Sequence, residues 1–455
     1  MYRTALVYLS EWKAKISRKP LVIRGARQVG KSFLVRMFAQ KPFENLIEIN
    51  VERDRDAASL FASHDPASIL PLLAARYGQP IKPGGTLLFL DEIQAAPELL
   101  AGLRYFHEHL PALHVIAAGS LLDFALADHR YAMPVGRIEY LHLGPMSFEE
   151  FLLARDRAAL RDFLAGYTIG GELPEAIHAE GMRLVREFLV AGGMPASVVA
   201  LGGPGGSRES EAERQSILST FREDFNKYAG RADVRRIEKV FAKIPLLAGR
   251  KFMYSGVDRE DRSRDLGRAL ELLCMARVAH RVRHTAANGL PMGAEADDRA
   301  FKVLFMDVGL MVRSSGLGVL DFEPAADPML VNAGAVAEQF IGQHLLHAGE
   351  PYDEPDLHCW MRPKSQSSAE VDYLIAVGGT IVPVEVKAGR TGTLKSLHVF
   401  LREKRHDFGL RFNADRPSLL DAETSLADGG NRPFRLLSLP LYMVGQTLRL
   451  CRENM

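Results

Sequence analysis

The chain has 455 residues, with 57 basic against 56 acidic side chains and a formal net charge of +1. That length exceeds one hydrophobic core, and the even balance excludes a whole-molecule pull towards DNA or membrane while leaving room for a local basic patch. Three cysteines, Cys274, Cys359 and Cys451, are too few and too scattered for a disulfide framework or a zinc set, which suits a reducing compartment.

The first twenty residues lack an apolar run of signal-peptide length, and no run of about 18 apolar residues follows anywhere. The expectation is a cytoplasmic protein without membrane insertion. From about residue 20 to 145, short apolar runs at 21–24, 46–51, 86–90, 114–118 and 138–143 alternate with amphipathic stretches. Strands buried on both faces read this way, so residues 1–145 are expected to form a doubly wound parallel α/β sheet.

The first run leads into GARQVGKS, residues 25–32, which fits G-x-x-x-x-G-K-[ST] between a strand (LVIR) and a helix (SFLVRMFA). Gly25 and Gly30 permit a tight loop whose amides, from Gly25 through Ala26, Arg27, Gln28, Val29 and Gly30 to Lys31, Ser32 and Phe33, would cradle the phosphates of ATP. Lys31 is expected on the β- and γ-phosphates and Ser32 on Mg²⁺.

Two adjacent acids end the apolar run TLLFLDEIQ. Burying unpaired charge is costly, so Asp91 and Glu92 call for a cation or a reaction. Asp91 suits a magnesium ligand and Glu92 a general base that polarises the attacking water. In VIAAGSLL, Ser120 stands where a polar sensor would face that water if this strand lies between the other two, although Gly-Ser is also common turn chemistry. Arg137, in PVGRIEY, suits an arginine finger acting in cis or in trans, or an ordinary salt bridge.

Gly144 and Pro145 break the pattern, and Ser147 with Glu150 forms a capping box at a helix start. Residues 146–330 read as mostly helical, punctuated at GGMP and GGPGGS. The stretch ALELLCMARVAHRV followed by FKVLFMDVGLM is expected to be a helix and β-hairpin of a winged-helix-like unit. Residues 331–455 return to α/β patterning, with strands LHCWM, EVDYLIAV and TIVPVEVKAG and a helix near 394–403.

The ordered series RGARQVGKS, LLFLDEIQ, AAGSLL, GRIEYLHLGPMSFEEFL, GGMP, FREDFNKYAGRADVRRIEKVFAKIP, FKVLFMDVGLM, GAVAEQF, AEVDYLI and VEVKAG resembles the prokaryotic AAA-type P-loop ATPases that carry a C-terminal domain of unknown function with a nuclease-like fold. The likeness spans nearly the whole chain. It implies an ATPase and leaves the target of hydrolysis undefined.

Glu338 on a helix, Asp372 on a strand, then Glu385 and Lys387 on the next strand follow the order of the PD-(D/E)xK restriction-endonuclease-like superfamily, with Val371 where proline is usual. Residues two apart on a strand share a face, so Glu385 and Lys387 can meet Asp372. The carboxylates would then bind Mg²⁺ and the lysine would steady a scissile phosphate. The same Glu-x-Lys also suits a cross-strand salt bridge. Three readings follow: an Mg²⁺-dependent ATPase controlling a nuclease-like domain, with DNA or RNA as a partner; an ATP-gated nuclease in defence or DNA processing; or a nucleotide-dependent module that binds a protein partner or a second copy.

Overall fold

The structure is a computed structural model that describes residues 1–127, 136–228, 231–316, 333–362, 369–389, 394–425 and 431–455. The chain divides into two compact units. One comprises Met1–Gly144 with Met275–Arg277 and Glu350–Glu354, the other Pro145–Cys274, Val278–Gly349 and Pro355–Met455.

The first unit is built on a five-stranded sheet of β1 (Leu21–Arg24), β2 (Asn45–Asn50), β3 (Thr86–Asp91), β4 (His114–Gly119) and β5 (Glu139–His142) in the order β2-β3-β4-β1-β5. Every neighbouring pair is parallel. Each strand lies within a residue or two of its expected place. β4 sits between β1 and β3, the position that gives Ser120 its expected neighbourhood. Each residue of β3 and β4 is buried, which explains their unbroken apolar runs. Val22, Ile49, Leu88, Leu90 and Val115 pack with Leu73, Leu99, Leu103 and Phe106 from helices Pro66–Tyr77 and Glu98–His109. Asp65 caps the first of these helices through the amides of Ala67 and Ser68, and Gly78 closes it at φ 64°.

The second unit opens at the expected capping box, where Ser147 accepts from the amide of Glu150 and Glu150 accepts in return. Helices dominate to residue 275, among them Glu175–Ala191, Gly206–Tyr228 and Arg231–Leu247. An eight-stranded sheet follows: β6 (Ala279–Thr285), β7 (Ala296–Phe305), β8 (His358–Met361), β9 (Glu370–Val377), β10 (Thr380–Val386), β11 (Phe408–Asn413), β12 (Ser418–Ser425) and β13 (Asn431–Pro440), ordered β12-β13-β11-β10-β9-β8-β6-β7.

The expected hairpin forms as β6 and β7, but it is not the wing of a separate winged-helix unit. β6 also bonds to β8, pairing Arg283 with His358 and His284 with Cys359, so the hairpin is an edge of the large sheet. The division expected at 330/331 lies within the second compact unit, and the main segment of the first unit ends at Gly144.

Two sequence motifs meet at a tight junction in this unit. Asp307 of FKVLFMDVGLM caps helix Val308–Ser314 through the Leu310 amide and also accepts from Gly193, in GGMP, at 2.6 Å. Gly192 adopts φ 72°, and a Cβ there would fall 2.1 Å from Asp307 Oδ1. Overpacking such a site costs about 1–3 kcal/mol, so Gly192→Ala is expected to lower the unfolding midpoint in urea by that equivalent. An unchanged midpoint would show that the junction yields without cost.

Candidate functional site

Three loops gather at the carboxyl ends of adjacent parallel strands, because β1, β3 and β4 end in register: Arg24 pairs with Gly119 and Asp91 with Ala118. The first is the P-loop. Gly25 lies so close to β5 that a Cβ would meet the Leu143 carbonyl oxygen at 2.2 Å, while Gln28 (φ 64°) and Gly30 (φ 91°) turn the chain into helix Lys31–Ala39. Ala26 and Val29 are buried beneath the loop, and Phe33 is half-exposed on the helix. Arg3 braces the loop from outside, donating to Val29 O at 2.7 Å and Gly144 O at 2.8 Å.

Lys31 is buried, with Nζ donating to Gly25 O at 3.0 Å and Ala26 O at 2.8 Å. Burial lowers its pKa to about 8, against the opposing pull of Glu92 and Asp91. Ser32 Oγ donates to Asp91 Oδ2 at 2.8 Å. Burial raises the Asp91 pKa, and the Ser32 bond opposes the rise. Two oxygen donors in contact, one a buried carboxylate, suit a hard divalent cation. These residues fit Mg²⁺.

Glu92 follows in the left-handed region at φ 53°. Its Oε2 accepts from Gln94 Nε2 at 2.6 Å, and Ser120 Oγ lies 3.4 Å away. Ser120 thus stands beside the acid, as its position between the strands predicts. A Cβ on Gly119 would lie 2.4 Å from Gln94 Oε1, so a larger residue there would shift the Gln94 side chain that bonds Glu92. Arg3 lies outside the motifs, and Gln94, the last residue of LLFLDEIQ, carries no mark in the pattern of its bond to Glu92.

Arg137 does not join them. It precedes β5, whose Glu139 pairs with Leu21 at the start of β1, so it stands at the amino edge of the sheet while the P-loop follows the carboxyl edge. There its Nε donates to Glu108 at 2.8 Å. In this structure Arg137 and the P-loop therefore lie at opposite edges of the sheet.

In the second unit the remaining predicted residues do converge. β9 and β10 run antiparallel with Tyr373 opposite Val384, which brings Asp372 alongside Glu385, and Asp372 Oδ2 accepts from the Val386 amide at 2.8 Å. Lys387 Nζ bonds Glu385 Oε1 at 2.6 Å. Glu338, on helix Ala333–Leu346, is buried and bonds Lys302 Nζ at 2.7 Å. Burial raises the pKa of Glu338 and of Glu385, and Asp372 adds to both rises. Lys302 and Glu370 are the members not expected. The signal for Lys302 was present, as a lysine inside the apolar run AFKVLF.

No described helix is long and apolar enough to cross a membrane. Among curated proteins, none matches the chain. The Walker-type ATPase PABY2304 of Pyrococcus abyssi is 18% identical, with 69% of this chain and 95% of that chain covered and a TM-score of 0.44. The ORC2 protein of Aeropyrum pernix, in ADPNP–ADP complexes, is 14% identical, with coverage of 61% and 85% and a TM-score of 0.31. The Hsp104–ADP complex of S. cerevisiae is 13% identical, with coverage of 61% and 39% and a TM-score of 0.25. At these values the likenesses carry nothing about function. Family models match in three segments: an AAA domain at residues 17–152, a domain of unknown function (DUF8612) at 182–321 and another (DUF4143) at 333–419. Residues 17–152, which include the loop at 25–32, thus match an AAA domain, and two segments that match domains of unknown function follow.

Proposed function

We propose that the first unit is an Mg²⁺-dependent ATPase that transfers the γ-phosphoryl group to water, and that its nucleotide state controls the second unit. The observation that carries this reading is the contact of Ser32 with Asp91 beneath the P-loop, with Glu92 next in sequence and bonded to Gln94. Ser32 and Asp91 would hold the metal, which when bound neutralises charge on the β- and γ-phosphate oxygens. The loop amides and Lys31 bind the phosphates, for which Lys31 exchanges the Gly25 and Ala26 carbonyls. Glu92, oriented by Gln94 and with Ser120 beside it, polarises the attacking water.

The test is steady-state phosphate release by the purified chain with ATP. Turnover with Mg²⁺ and its loss with EDTA are expected; no turnover with Mg²⁺ overturns the reading. Repeating the assay with duplex DNA, single-stranded DNA and RNA identifies the class of target by which of them stimulates.

A further inference from the structure

The likeness to restriction-endonuclease-like proteins implies a divalent metal among Glu338, Asp372 and Glu385. That implication is tested by what stands between those residues. Lys302 comes from β7, which β8 and β6 separate from β9 in the sheet, and helix Ala333–Leu346 packs on β7, β9 and β10 together. The lysine is only 2% exposed. Its ammonium lies 2.7 Å from Glu338 Oε1 and 3.2 Å from Asp372 Oδ1, and it also contacts Glu370 Oε1.

An ammonium has three N–H donors, and here three carboxylates surround it. Burial works against its charge, yet Glu338, Asp372 and Glu370 outweigh that cost and hold its pKa well above the ordinary lysine range. Mg²⁺ needs near-octahedral oxygens at about 2.0–2.1 Å. The inward oxygens of Glu338 and Asp372 already face Lys302. The outer oxygen of Asp372 takes the Val386 amide, and Glu385 Oε1 takes Lys387. A dication placed among these acids would face a buried like charge, or would have to displace the lysine from all three of its carboxylate partners. Among the described residues, no three His, Cys, Asp or Glu side chains are arranged to hold a metal. The residues present do not fit the implied ion.

We infer that Lys302 is the resident cation of this cluster, a covalently tethered ammonium that takes the place of a divalent metal and closes the site to one. Lys302 and Lys387 then offset two of the four carboxylates Glu338, Glu370, Asp372 and Glu385 from within, while burial and the neighbouring Asp372 push the pKa of Glu338 and Glu385 upward, towards the neutral acid. The second unit keeps the residue order of a metal-dependent nuclease but holds its acids around a lysine. On this reading the second unit does not cut nucleic acid through this cluster. The inference concerns the second unit alone and stands whether or not the first unit hydrolyses ATP.

The experiment is calorimetric titration of the full chain with Mn²⁺ in the absence of nucleotide, alongside thermal unfolding with and without the ion. Asp91→Asn is carried in every sample to remove any contribution of the P-loop. Expected are no saturable binding with Lys302 present, the same result with Asp372→Asn, and a new Mn²⁺ site in Lys302→Met. That site would appear as a rise in unfolding temperature that EDTA reverses and Asp372→Asn abolishes. Saturable Mn²⁺ binding with Lys302 present that is lost on Asp372→Asn overturns the inference. So does a folded Lys302→Met that gains no site. Should Lys302→Met fail to fold, the comparison of the parent with Asp372→Asn decides alone, because it needs no change at Lys302.

Discussion

Glu92→Gln is expected to lower the turnover number for ATP by roughly 10²–10⁴-fold, the usual worth of a positioned general base, while leaving ATP affinity nearly unchanged. The amide has the size of the carboxylate and keeps an oxygen able to accept from Gln94, whose Nε2 lies 2.6 Å from Glu92 Oε2. It cannot take a proton from water. Nor does it belong to the pair that would hold the metal, since Ser32 bonds Asp91 and not its neighbour. A loss confined to kcat separates a residue that acts in the transition state from one that binds substrate. Stopped-flow binding and single-turnover hydrolysis measured on the same preparation make the distinction. If the variant hydrolyses ATP at the parent rate, Glu92 is not the base.

What is legible in the chain divides by range. Strands covered on both faces appear as unbroken apolar runs, so the amino-acid pattern alone places β1 to β5. The phosphate loop, Asp91 and Glu92 are short local patterns with a fixed place beside those strands. Arg3 leaves no such trace, since its partners Val29 and Gly144 are set by the closing of the sheet. The β6–β7 hairpin can be read from its flanks, but its membership of the large sheet depends on β8, which arrives only after helices Val308–Ser314 and Ala333–Leu346. β12 is illegible for another reason. It is an edge strand whose residues are mostly exposed or half-buried, so it has no two-residue alternation to detect.

Lys302 is the instructive miss. The reasoning that singles out Asp91 and Glu92, that charge at the end of an apolar run needs a partner, applies equally to a lysine within AFKVLF. Its partners come from a later helix and strand, so the pattern can announce the need without naming what meets it. The side chains of Glu338, Asp372, Glu385 and Lys387 lie together around Lys302 and one another, but their order alone cannot say which cation they gather around.

Lys31→Ala is expected to weaken ATP binding by about 10²–10⁴-fold. Charge-assisted hydrogen bonds are worth roughly 1.5–3 kcal/mol each, and two of them to phosphate oxygens correspond to that range at ~1.4 kcal/mol per tenfold. The pH dependence supplies a check that a merely misfolded loop would not mimic. Without nucleotide, burial holds Lys31 at about 8 despite Glu92 and Asp91, which pull upward. Phosphate beside the ammonium favours the charged form, so the pKa in the complex lies above that of the free protein. Affinity is then complete below the free value and declines as pH rises through it, by up to ~tenfold per unit until the higher value in the complex is reached. Titration with a fluorescent ATP analogue between about pH 7.5 and 9.5 reads this slope, a range that lies well above the second ionisation of a phosphate, at about 6. The slope should vanish in Lys31→Ala together with the affinity, with circular dichroism showing the variant folded. A parent protein whose affinity is flat across that range, joined to undiminished binding by the variant, would place the nucleotide away from this loop.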